Sequence, residues 1–105
     1  MQIKVSKVFA NFINKVAKEN SVKFNAKVVT IPEKYARYYI GSNVDYYNDY
    51  DFANLAYKVI KIEYAPEYYA NPIYLTTVQL NQDFNRYNVK TVDDLKLMIL
   101  DICEI

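Results

Sequence analysis

The chain reads as a small α+β domain, with a helix at each end and an antiparallel sheet of about three strands between them, in the order α-β-α-β-β-α. Three observations predict this class. An apolar stripe at helical period opens the chain, a second one closes it, and the middle holds runs of β-branched and aromatic residues bounded by turn formers. The 105 residues suit one domain, residues 1–105. The 52% hydrophobic fraction fits a folded chain rather than a disordered one.

Val5, Val8, Phe9, Phe12, Ile13 and Val16 fall on one helical face, with Lys4, Lys7, Asn11, Asn14 and Lys18 opposite. This predicts a helix over Ile3–Glu19 with Phe12 in the core. Val22–Ile31 begins with strict alternation, Val22, Phe24, Ala26 and Val28 against Lys23, Asn25 and Lys27, and predicts a half-buried strand. Thr30 and Glu33 have capping-box spacing around Pro32, and Gly41 suits the left-handed residue after a helix. A short helix over Pro32–Ile40 follows, with Tyr35 and Tyr39 on one side.

Ser42–Asp51 is expected to be a loop. From Phe52 to Tyr64 the spacing of Phe52, Leu55, Ala56, Val59 and Ile60 matches a helix, whereas Ile60, Ile62 and Tyr64 alternate among strand formers. A short helical turn over Phe52–Leu55 and a strand over Ala56–Tyr64 is the preferred reading, with a full helix as the alternative. Ala65–Pro72 reads as a connection, Ile73–Leu80 as a strand, and Asn81–Asn88 as a turn with an edge segment at Phe84–Tyr87. Thr91 then caps a helix over Val92–Glu104, with Asp93 and Asp94 in its first turn and Val92, Leu95, Met98, Ile99 and Ile102 as its stripe.

The composition narrows the chemistry. Histidine is absent, so the usual general base is missing. The single cysteine, Cys103, permits neither an intramolecular disulfide nor a zinc site, and reads as a buried structural thiol. One glycine cannot form a phosphate loop. Asp45, Asp49 and Asp51 lack the spacing of a calcium loop and read as solvated loop acids. No catalytic residues, metal site or cofactor are therefore expected. The opening MQIKVSKVF lacks the long apolar run of a signal peptide, and no stretch is long enough to span a membrane. A reducing cytoplasm is the expected compartment.

Charge and tyrosine are unevenly placed. Residues 1–40 carry eight cations against two acids, and residues 41–105 five against ten. Eleven of the twelve tyrosines lie between Tyr35 and Tyr74. Tyr57, Tyr64 and Tyr74 are expected at the edge of the core. Tyr46, Tyr47, Tyr50, Tyr68 and Tyr69 sit in polar segments, and with Asp45, Asp49 and Asp51 they form the candidate protein-binding surface. Abundant Ile, Lys, Asn, Tyr and Phe, with little Gly, Arg or Pro, match AT-rich codons. The leading expectation is a small non-catalytic accessory or inhibitor protein, viral or carried by a mobile element. It would act as an anti-defence protein in the host cytoplasm, imitating the charge of nucleic acid to block a host protein that handles it. The alternative is a single-stranded nucleic-acid binder using Lys4, Lys7, Lys18, Lys23 and Lys27. A structural or oligomerisation module is the third reading.

Overall fold

The computed structural model describes residues 3–64 and 71–102, the side chains of Phe24 and Tyr64 excepted. It is an α+β fold. In chain order the elements are α1 (Lys7–Glu19), β1 (Phe24–Pro32), a 3-10 turn (Glu33–Tyr35), α2 (Ala36–Tyr39), β2 (Tyr50–Asp51), β3 (Ala56–Tyr64), β4 (Ile73–Leu75), α3 (Thr77–Arg86) and α4 (Val92–Ile102). β3 is the central strand, antiparallel to β1 on one side and to β2 and β4 on the other.

Side chains alternate across a strand, so the sheet has two faces with separate cores. On one face Ala26, Ile60, Ile62 and Leu75 pack against Phe9, Ile13 and Val16 of α1, Leu80 of α3, and Met98 and Ile99 of α4. On the other, Ile31, Tyr57 and Val59 meet Ala36 of α2, flanked by Val29, Ile40, Tyr50 and Tyr74. Phe12, expected in the core, is only half-buried at its margin, and Val92 is largely exposed rather than part of the stripe of α4.

Helix α1 starts four residues later than the stripe predicts. Ser6 is its N-cap and accepts a hydrogen bond from the Phe9 N–H (3.1 Å). Before it the chain is tied to α3. Asn81 accepts from the Ile3 N–H (3.1 Å) and donates to the Ile3 carbonyl (2.9 Å), and the Val5 N–H donates to Thr77 Oγ1 (3.0 Å). The Asn14 amide holds both backbone groups of Ala26, at 2.7 and 2.8 Å, and so closes part of the β1 edge.

Pro32 precedes the 3-10 turn without a side-chain cap, so the Thr30–Glu33 capping box does not form. Gly41 does take the left-handed conformation, φ +71°, and its N–H closes on the Arg37 carbonyl (3.2 Å). The Phe52–Leu55 turn and the strand Ala56–Tyr64 match expectation, whereas a full helix there does not form.

The largest departure is Ile73–Leu80. The strand stops at Leu75, and Thr76 caps α3 by accepting from the Gln79 N–H (3.1 Å). The expected turn at Asn81–Asn88 and edge segment at Phe84–Tyr87 lie mostly within that helix. In α4, Thr91 Oγ1 accepts from the Asp94 N–H while Asp94 accepts from the N–H groups of Lys90 and Thr91, all at 3.1 Å. These bonds hold the Asp94 carboxyl below its usual range, the Lys90 N–H contributing most. Among the described residues no helix is long and apolar enough to cross a membrane. The expectations for Cys103, and for most of the Ala65–Pro72 connection, fall outside the described residues.

Candidate functional site: two tyrosine clusters on one sheet face

The sheet face opposite α1 is built in cross-strand rows. Lys27, Lys61 and Tyr74 face one another across β1, β3 and β4; then come Val29 and Val59; then Ile31, Tyr57 and Tyr50. α2 lies against the apolar middle. The described tyrosines between Tyr35 and Tyr74 therefore gather in two clusters. Tyr57 and Lys61 are four residues apart on β3, so the ends they mark are separated by roughly 13 Å.

At one end Tyr46, Tyr50 and Phe52 stack as a group above Tyr57. Ring centroids are 4.8 Å apart for Tyr46–Tyr50, 4.8 Å for Tyr50–Phe52, 5.4 Å for Tyr46–Phe52 and 4.8 Å for Tyr50–Tyr57. Tyr47 extends the group at 6.1 Å from Tyr46 and is 95% exposed. Phe52 is 64% exposed, and Tyr46 is also open to solvent. Buried Tyr57 supports a ridge whose outer rings face water.

The rim of this ridge is acidic, and its carboxylates do different jobs. Asp45 accepts from the Asn48 N–H (2.9 Å) and side-chain amide, closing the turn that displays Tyr46 and Tyr47. Asp51 accepts from the Ala53 N–H (3.0 Å) and Asn54 Nδ2 (2.8 Å); the Asn54 bond is the main reason its carboxyl sits below the usual range. Glu33 accepts from the Tyr50 hydroxyl (2.9 Å). Desolvation of the Tyr50 phenol, followed by that bond to an acid, raises its pKa to about 12.

Asp49 departs from the expectation of a solvated loop acid. It is 4% exposed. Its carboxylate accepts from the Thr77 N–H (2.8 Å) and the Thr77 hydroxyl (2.6 Å), at the N-terminus of α3 where negative charge complements the helix dipole. Thr77 Oγ1 in turn receives the Val5 N–H. The Asp49 backbone N–H donates to the Asp45 carbonyl (2.9 Å), and its carbonyl accepts from the Lys58 N–H (2.8 Å). Burial raises the carboxyl pKa, against the opposing pull of the Thr77 bonds and of Lys4. Asp49 thus anchors the tyrosine turn to the body of the protein rather than meeting a partner.

At the other end Tyr38, Tyr39 and Tyr74 form a run from α2 onto β4, with centroid separations of 4.9 and 5.4 Å. Tyr35, Tyr39, Tyr74, Lys61 and the β1 segment Val29–Pro32 line an open groove of about 310 Å³. Glu63 joins Lys61 (2.8 Å) and Lys27 (3.5 Å), offsetting the repulsion of lysines placed directly across the strands.

The alternative basic set is divided by the sheet. Lys7 and Lys18 project from α1, Lys4 lies near Asp49, and Lys27 is on the opposite sheet face with Glu63. Lys23 precedes β1 and is exposed. Tyr68 and Tyr69 lie outside the described residues. The sequence reading assigned no role to Phe52 as a contact residue, or to Lys34, Arg37 and Lys61. The helical spacing of Phe52 with Leu55, Ala56, Val59 and Ile60 masks its place in an exposed turn.

A larger open cavity, about 630 Å³, lies between β4, α3 and α4. Its polar groups pair with one another: Arg86 with buried Asp83 (3.2 Å), and the Tyr87 hydroxyl with Asp101. Among the described residues no three His, Cys, Asp or Glu side chains gather to hold a metal ion. Compared with protein-family models, curated proteins and solved structures, the chain matches none.

Proposed function

We propose that the protein is a non-catalytic binding domain whose ridge of Tyr46, Tyr47 and Phe52 docks on a protein partner. The observation that carries this reading is the exposure of three contiguous rings above a buried one, Tyr57. Solvated aromatic patches of this kind are uncommon unless they are covered in use, and aromatic anchors often dominate an interface. Tyr47 has no burial to explain it. The rim of Asp45, Asp51 and Glu33 favours a partner with a basic surface, such as the groove of a nucleic-acid-handling protein, and disfavours acidic surfaces. Inhibition of such a protein by charge mimicry, including the anti-defence role of a viral or mobile-element protein, is the specific form of this reading.

Affinity capture from the native host, with wild-type protein and a Tyr47→Ala, Phe52→Ala double variant as parallel baits, tests it. One partner should be enriched by the wild type and depleted at least tenfold by the variant, as for loss of about 1.4 kcal/mol or more at an anchor. Asp45→Lys should weaken the same complex. Identical capture profiles from both baits would contradict the proposal.

A further inference from the structure

The second tyrosine cluster has a chemistry of its own. Its rings are accessible: Tyr38 is 83% exposed, and Tyr35 and Tyr39 also reach solvent. Cations stand on both banks of the groove. Lys61 lines it from the sheet with Lys27 directly across the strands, Lys34 lies at Tyr35 on the other side, and Arg37 is exposed on α2. Lys34 Nζ lies over the Tyr35 ring, 5.0 Å from its centre, so a positive charge sits on one face of that ring. Two carboxylates belong to the same surface: Glu33 accepts from the Tyr50 hydroxyl at its far end, and Glu63 pairs with Lys27 and Lys61 and offsets part of their charge, which leaves Lys34 and Arg37 as the cations without a carboxylate in contact among the described residues.

Flat rings flanked by cations select among ligands. A basic protein surface would be repelled. An acidic peptide would use the cations and leave the rings without flat partners. A nucleic-acid duplex keeps its base faces stacked inside. A single strand uses both features, with bases on the rings and phosphates on the cations. A groove of about 310 Å³ is at the small end of ligand sites and suits one base at a time. We infer that this face binds single-stranded nucleic acid, with bases against Tyr35, Tyr38 and Tyr39 and phosphates along Lys34, Arg37 and Lys27. This inference does not depend on the Tyr47 ridge, and it uses a different surface from α1.

Fluorescence anisotropy of a labelled oligothymidine of about fifteen nucleotides, titrated with the full chain at low salt, is the test. Binding should weaken as salt rises. Tyr38→Ala should reduce affinity by roughly 5- to 150-fold, the range for a lost base–ring stack. Lys34→Glu with Arg37→Glu should weaken binding and flatten its salt dependence, whereas Lys7→Glu with Lys18→Glu on α1 should leave it unchanged. These side chains are exposed, so the variants should keep the wild-type thermal unfolding curve. The inference fails if the oligonucleotide does not bind at low salt, if a duplex binds equally well, or if inorganic polyphosphate competes as well as the oligonucleotide. It also fails if the α1 reversals abolish binding while Tyr38→Ala does not.

Discussion

The two tyrosine clusters share one sheet face and one stretch of sequence, yet they differ in what holds them and what surrounds them. The Tyr46–Tyr47–Phe52 ridge has an acidic rim and stands on a turn fixed by one buried carboxylate, Asp49. The Tyr35–Tyr38–Tyr39 group has Lys61 in its groove and Lys34 over Tyr35 and rests on α2 and the sheet, with no buried charge beneath it among the described residues. A tyrosine ring supplies contact area in either place. The neighbouring charges decide what it can contact.

The comparison breaks most sharply at Tyr57. This buried ring supports Tyr50 at 4.8 Å, so Tyr57→Ala should cost about 3–5 kcal/mol in chemical denaturation and collapse the acidic ridge. Near-wild-type stability would mean that the ridge is held by something else.

Asp49→Ala comes next. It strands the N–H and hydroxyl of Thr77, and an unsatisfied buried group costs roughly 1–3 kcal/mol. A loss of about 3 kcal/mol is expected, against no more than about 0.5 kcal/mol for a surface change such as Tyr38→Ala. Equal, small effects at both positions would remove the anchoring role assigned to Asp49.

The third expectation concerns alkaline pH and is smaller. In the folded state Tyr50 keeps its proton beyond the ordinary phenol value of 10.0, up to about 12. A raised folded-state pKa means that the stabilisation is complete below pH 10 and is lost as pH rises through about 12. Denaturation midpoints measured across that window should fall more steeply for the wild type than for Tyr50→Phe. Parallel curves would show that the folded protein does not raise the Tyr50 pKa, by desolvation or by the bond to Glu33.

Much of this architecture is legible in the residues. The stripe through Phe9, Ile13 and Val16 marks α1, and the β-branched run through Val59, Ile60 and Ile62 marks β3 despite its helical spacing. Helix α3 is not legible, because few of its residues are large and apolar. Besides Leu80 in the core, it is held by polar contacts with distant partners: Thr77 with Asp49, and Asn81 with Ile3. The same contact hides the role of Asp49. Between Tyr47 and Tyr50 it looks like any loop acid, and its partner lies 28 residues away. Exposure of Tyr46 and Tyr47 could be read from their polar setting. The division of the tyrosines into two clusters could not, since it depends on which strands become neighbours.

Contact between the acidic ridge and a protein is what the proposed function requires. Photo-crosslinking in the native host tests it most directly, with a photoreactive phenylalanine analogue in place of Tyr47 or, in a second chain, of Tyr38. Both side chains are exposed, so both chains should fold. One discrete protein adduct is expected from position 47 and should be absent from position 38. No adduct from position 47, or the same protein adduct from both positions, would contradict it.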